Sequence, residues 1–80
     1  MKGRYIMPVI NMKETGFRIR QCMDEKQITV HQLQRMFEFQ TPQAIYKWLR
    51  GTSLPTIDNI VILASILDIA VDELLVTEII

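Results

Sequence analysis

The sequence predicts an all-α fold: one compact domain of five short helices behind a short N-terminal arm. Three observations carry that expectation. The chain has 80 residues, 49% of them hydrophobic and 22% charged, the composition of one packed globule and too few residues for two cores. Its apolar residues recur at helical spacing rather than alternating. The segments so marked are separated by capping residues, Pro and Gly, placed where helices begin and end.

The elements follow in order. Residues 1–11 form the arm, where Pro8 forbids a central strand. From Met12 to Glu25, Ile19, Cys22 and Met23 recur at helical spacing with Met12 and Gly16 on roughly the same side, giving a first helix. Thr29 and Gln32 stand at N-cap and N3 of a second, a capping box that satisfies two orphan backbone donors. Val30, Leu33 and Phe37 form its inner stripe, with Gln34, Arg35 and Glu38 outward. Thr41 is a good N-cap and Pro tolerates only the first helical position, so a third helix is expected from Pro42 to Arg50, ended by Gly51 at C′.

Thr56 caps a fourth helix through about Leu67 that is apolar nearly all round. Ile57, Ile60, Ala64 and Leu67 make one face, Ile62 and Ile66 with Ile69 another, and one core cannot hide both. Either the N-terminal arm or a second copy covers the other face. Asp72 to Leu75 suggest a fifth helix with acids in its first turn. The expected domain is therefore residues 12–76, followed by an apolar tail at 77–80.

Several function classes are excluded at this level. The lone Cys22 forms no intrachain disulfide, and no apolar run approaches the roughly 20 residues of a bilayer span. No signal-peptide pattern opens the chain, so a cytoplasmic location is expected. Cys22 and His31 are too few ligands for zinc. Grouped acids, bases and nucleophiles are lacking, so neither catalysis nor a cofactor or small-molecule substrate is expected. Net charge is zero, but it is divided: Met1 to Arg50 holds all nine Lys and Arg against four acids, +5, and Gly51 to Ile80 holds five acids and no cation, −5. One half of the chain suits a polyanion.

The third helix carries the informative residues. Ile45, Trp48 and Leu49 face inward, while Gln43, Tyr46, Lys47 and Arg50 lie at i, i+3, i+4 and i+7 as one outward stripe. A DNA major groove admits one α-helix, and amide and cationic side chains match base edges. Thr41 and the first-turn amides are suited to a phosphate.

Leu33, Phe39 to Pro42, Gln43-Ala44-Ile45-Tyr46-Lys47-Trp48, Gly51, Leu54-Pro55, Asp58-Asn59, Leu63 and Val71-Asp72-Glu73-Leu74-Leu75 together resemble the lambda-repressor-like, Cro-type (Xre) helix-turn-helix domain. The resemblance spans Ile19 to Leu75. It implies a five-helix domain that binds double-stranded operator DNA as a homodimer, with Gln43, Ala44 and Lys47 reading bases. It places Thr29, Gln40, Tyr46, Arg50 and Thr52 on the backbone, and a repressor role follows. Apart from the resemblance, Ile62, Ile66, Ile79 and Ile80 are expected either to pack under the N-terminal arm or, equally, to form the dimer contacts.

Departures from the family pattern carry their own expectations. Glu38 stands where a Gly is usual, and the turn is one residue longer. A left-handed Glu costs about 1–2 kcal/mol, so the extra residue is expected to reshape the turn. Met23 and Leu49 occupy the positions of a buried Arg and Glu pair, replaced here as a unit. Val30 replaces a first-turn Gln, and Asp68 and Ala70 replace a Gly and a capping hydroxyl. The alternative from another class is a protein-interaction module, an antitoxin-like or phage adaptor gripping a protein through the apolar fourth helix and C-terminus.

Overall fold

The structure, a computed structural model, describes residues 6–79. Five helices follow in the expected order: α1 (Met12–Lys26), α2 (Val30–Met36), α3 (Gln43–Arg50), α4 (Ile57–Leu67) and α5 (Val71–Leu74). A two-stranded antiparallel ribbon is added, β1 (Pro8–Ile10) against β2 (Thr77–Ile79), with Val9 opposite Glu78. Pro8 is compatible with this because a two-stranded ribbon has no central strand.

Local chemistry sets the helix ends. The Thr29 hydroxyl accepts from the Gln32 amide at 3.1 Å while the Gln32 side chain accepts from the Thr29 amide at 2.8 Å, the reciprocal box the sequence predicts. Thr56 caps α4 through the Asn59 amide. Gly51 closes α3 at φ 74°. Asn11, which carried no expectation, caps α1 by accepting from Glu14 at 2.9 Å. α5 lacks a capping hydroxyl, and Glu73 reaches back to the Ala70 amide at 3.2 Å instead.

The core is continuous across the helices. Ile19, Met23, Leu33, Ile45, Leu63, Leu67 and Leu74 are buried, with Leu49 partly buried against them. Met23 and Leu49 thus place apolar surface where an ion pair would have needed costly desolvation. Cys22 is also buried. Burial pushes its thiol above the ordinary range, Arg18 partly opposing the shift, so it behaves as a small core hydrophobe rather than a nucleophile.

Three expectations are corrected. Ile57, assigned to the buried face of α4, is 81% exposed. It opens the helix beyond the edge of the core, and Leu63 takes the inward place beside Ile60, Ala64 and Leu67. Helical hydrogen bonding in α3 begins at the Pro42 carbonyl, which accepts from Tyr46 at 3.1 Å. Pro42 itself rests at φ −85°, ψ 7°, so the first helical residue is Gln43.

The third correction is Glu38, which does adopt left-handed backbone, φ 57°. The longer connection does not relieve it and continues as bends through Gln40 to Pro42. Phe37 and Glu38 close α2 through the Leu33 and Arg35 carbonyls, and that closure requires the chain to reverse there. Glu38→Gly removes the Cβ clash of about 1–2 kcal/mol and adds a smaller entropic cost of about 0.5–1 kcal/mol. The expected result is a stability gain of roughly 0.5–1 kcal/mol, seen as a melting temperature higher by several degrees. An unchanged or lowered melting temperature would mean that the left-handed turn is unstrained.

Candidate nucleic-acid interface

α3 is held from beneath by aromatic packing. Trp48 is 4% exposed, and its ring meets Phe37 edge-on at 5.6 Å and Phe39 at 6.0 Å, while the two Phe rings stack at 5.2 Å. Both Phe residues flank the turn between α2 and α3, so this cluster fixes the helix-turn-helix angle. Phe39, expected only as part of the turn, is thus also a packing residue. The Gln34 amide adds a stitch by donating to the Phe39 carbonyl at 3.3 Å; it turns inward rather than out.

The opposite side of α3 is open. Gln43, Lys47 and Arg50 are exposed, and Tyr46 is 37% exposed. Ala44 is partly buried against the core, so its methyl group lies at the margin of this face. Gln40 and Thr41 precede the helix and are exposed, as is Thr29 at the start of α2. Among the described residues the lone ion pair is Lys26 with Asp68 at 3.7 Å, well away from α3 in sequence and solvent-exposed. Such a pair contributes at most about 1 kcal/mol. Lys47 and Arg50 therefore keep their charges unneutralised by any described carboxylate, and in the last turn they complement the helix dipole.

The hydroxyls differ in what they have left to give. Thr29 and Thr41 accept from the amides of Gln32 and Gln43 at 3.1 and 3.4 Å, which leaves both O–H protons available. The Thr52 hydroxyl instead donates to the Lys47 carbonyl at 3.2 Å and its amide bonds the same oxygen at 3.0 Å. Thr52 thus closes the C-terminal end of α3. His31 is exposed.

Ile62 is exposed on α4 beside exposed Val61, whereas Ile66 packs partly against the core. Ile79 is exposed at the ribbon, and Ile80 lies outside the described residues. No helix among the described residues is long and apolar enough to cross a membrane.

No curated protein matches the sequence. Two solved structures have similar folds. One is the DNA-binding domain of BldD, with a TM-score of 0.69 and 19% identity, covering 82% of this chain and 94% of that one. The other is the S. venezulae BldD DNA-binding domain, at the same TM-score and identity, covering 82% and 97%. A helix-turn-helix family profile matches residues 19–74, the stretch from the core of α1 to the end of α5. With well over half its length matched, and with α2, the turn and α3 arranged as described, this chain belongs to the helix-turn-helix family.

Proposed function

We propose that the protein is a non-enzymatic, sequence-specific DNA-binding transcription regulator, a cytoplasmic repressor that reads the major groove with α3 as a homodimer. One observation carries this reading: a helix buried along one side bares only Gln43, Tyr46, Lys47 and Arg50 along the other. Gln43 and Lys47 offer an amide and a cation to base edges, with the Ala44 methyl beside them. Thr29, Gln40, Thr41, Tyr46, Arg50 and the Thr52 loop meet phosphates on either side. The family match, and the fold shared with the DNA-binding domains of BldD, support the same assignment. Residues 12–76 act as the binding domain, with residues 1–11 as arm and 77–80 as tail. Two copies place α3 in successive grooves about 34 Å apart, on a pseudopalindromic site.

Selection of bound duplexes from a random pool tests the reading, and variants then separate the roles. Gln43→Ala is expected to relax base preference at one position per half-site by about 1–3 kcal/mol. Arg50→Ala should weaken all sequences alike. With about six phosphate contacts per dimer, log K against log salt should have a slope of about −5 for the wild type, shallower by about 2 for a dimer of Arg50→Ala. Unchanged preference in Gln43→Ala would place Gln43 outside the groove.

One feature favours the second reading, a protein-interaction module: exposed Ile57, Val61 and Ile62 lie together on α4. A chain that associates with protein but never retards duplex DNA at low salt would support that alternative.

A further inference from the structure

We propose that the outer edge of β2 pairs with the same edge of a second copy, antiparallel about a two-fold axis, into a four-stranded sheet ordered β1, β2, β2, β1. This rests on the homodimer reading above and assigns its surface.

The ribbon is firmly rooted yet incomplete. At its base the Asn11 amide donates to the Val76 carbonyl at 2.8 Å, and the Val76 amide donates to the buried Thr15 hydroxyl at 3.0 Å. Arg18 donates to the Glu73 carbonyl at 2.9 Å just before it. Beyond that base, all six strand residues are exposed. Two strands alone are marginal in water, and a third or fourth is what gives independent stability. The two strands pack chiefly on each other rather than on the helices.

Hydrogen-bond parity decides which edge is open. The register pairs Ile10 with Thr77, Val9 with Glu78 and Pro8 with Ile79, and continues to Asn11 with Val76. Because Asn11 bonds Val76, antiparallel alternation makes Val9 and Glu78 the next bonded pair. The backbone groups of Pro8, Ile10, Thr77 and Ile79 then point to the outer edges. Pro8 has no N–H, so the β1 edge is blunted in the way edge strands avoid pairing. The β2 edge is not: Thr77 and Ile79 both present N–H and C=O.

A second copy fits this edge because a two-fold axis brings each donor opposite the equivalent strand's acceptor without any new sequence. The side chains agree with it. Pro8, Ile10, Thr77 and Ile79 share one face of the ribbon, and a two-fold axis normal to the sheet keeps that face common to both copies, so Thr77 and Ile79 of one β2 meet those of the other as cross-strand neighbours. Ile79 is 67% exposed in the single chain. A three-residue edge buries little surface, so the dimer is weak in free solution and is reinforced when two half-sites are occupied together.

The parity also supplies the test. Ile79→Pro removes an outward N–H and leaves the ladder to β1 intact. Sedimentation of the full chain at rising concentration should show wild-type mass approaching twice 9.4 kDa, and Ile79→Pro should weaken association at least about tenfold with an unchanged helical melt. An Ile79→Pro chain that dimerises like the wild type overturns the assignment while leaving the dimer reading in place. A wild type that is monomeric at every concentration, and that binds a selected duplex one copy at a time, overturns both. Amide exchange needs no variant: protection at Thr77 and Ile79 that rises with concentration supports the pairing. Solvent-rate exchange there at all concentrations refutes it, even if Ile79→Pro fails to fold.

Discussion

Trp48→Ala should remove about 3–5 kcal/mol of stability, the range for truncating a large buried aromatic. The side chain is almost wholly buried and is the shared partner of Phe37 and Phe39. Each aromatic pair adds roughly 0.5–1.5 kcal/mol beyond area burial, so the loss lies toward the upper end. A domain of this size holds only about 5–15 kcal/mol in total. Urea unfolding should therefore give a midpoint moved far toward zero denaturant at nearly constant slope. Because the same rings brace the turn and the underside of α3, DNA affinity should fall even where the variant remains folded. A loss below about 1 kcal/mol would show that the cluster is not what supports the helix.

Gly16→Ala is the second large effect, and its sign is opposite to what helix propensity alone gives. Ala in place of an interior helical Gly ordinarily stabilises by about 1 kcal/mol. Here a Cβ on residue 16 would run into the Trp48 carbonyl oxygen and stand 2.7 Å from that of Leu49. Both neighbours are backbone, so α1 and α3 must separate for the methyl to fit. Overpacking of this kind costs about 1–3 kcal/mol and sometimes more. The expected net loss is about 2 kcal/mol, a drop in melting temperature of roughly 8–16 °C. Circular dichroism on heating checks it, and a raised melting temperature would mean that the helices approach less closely. A Gly51 side chain would meet a similar obstacle, at 2.6 Å from the Lys13 Cα with φ 74°, so α1 touches α3 backbone to backbone at two points.

Much of this was legible in the chain because capping and periodicity are local. Thr29 with Gln32, Thr56 and Gly51 each satisfy or close a helix end using atoms a few residues away, and each does so in the structure. The outward phase of Gln43, Lys47 and Arg50 follows from the inward phase of Ile45 and Trp48 on the same eight residues. The close approach at Gly16 was not legible. A glycine in a helical stretch reads as a weak point until the opposing carbonyls are seen.

α4 marks the boundary between the two kinds of information. Its composition is apolar around most of its circumference, so periodicity alone assigned Ile57 inward and Ile66 to a second face. The packing exposes Ile57 and turns Ile66 partly to the core. The ribbon is the same case at longer range, since Val9 and Glu78 are far apart in sequence and their segments are too short to signal strands.

By itself the sequence determined five helices, the caps at Thr29, Thr56 and Gly51 and the polar stripe of α3, because those depend on contacts within a turn or two of backbone. Only the tertiary structure decided the left-handed Glu38, the helix contact at Gly16, the orientation of α4 and the pairing of arm with tail. Each of these depends on which distant backbone arrives alongside, and that is set by the summed burial of the whole core rather than by any one segment's own preference.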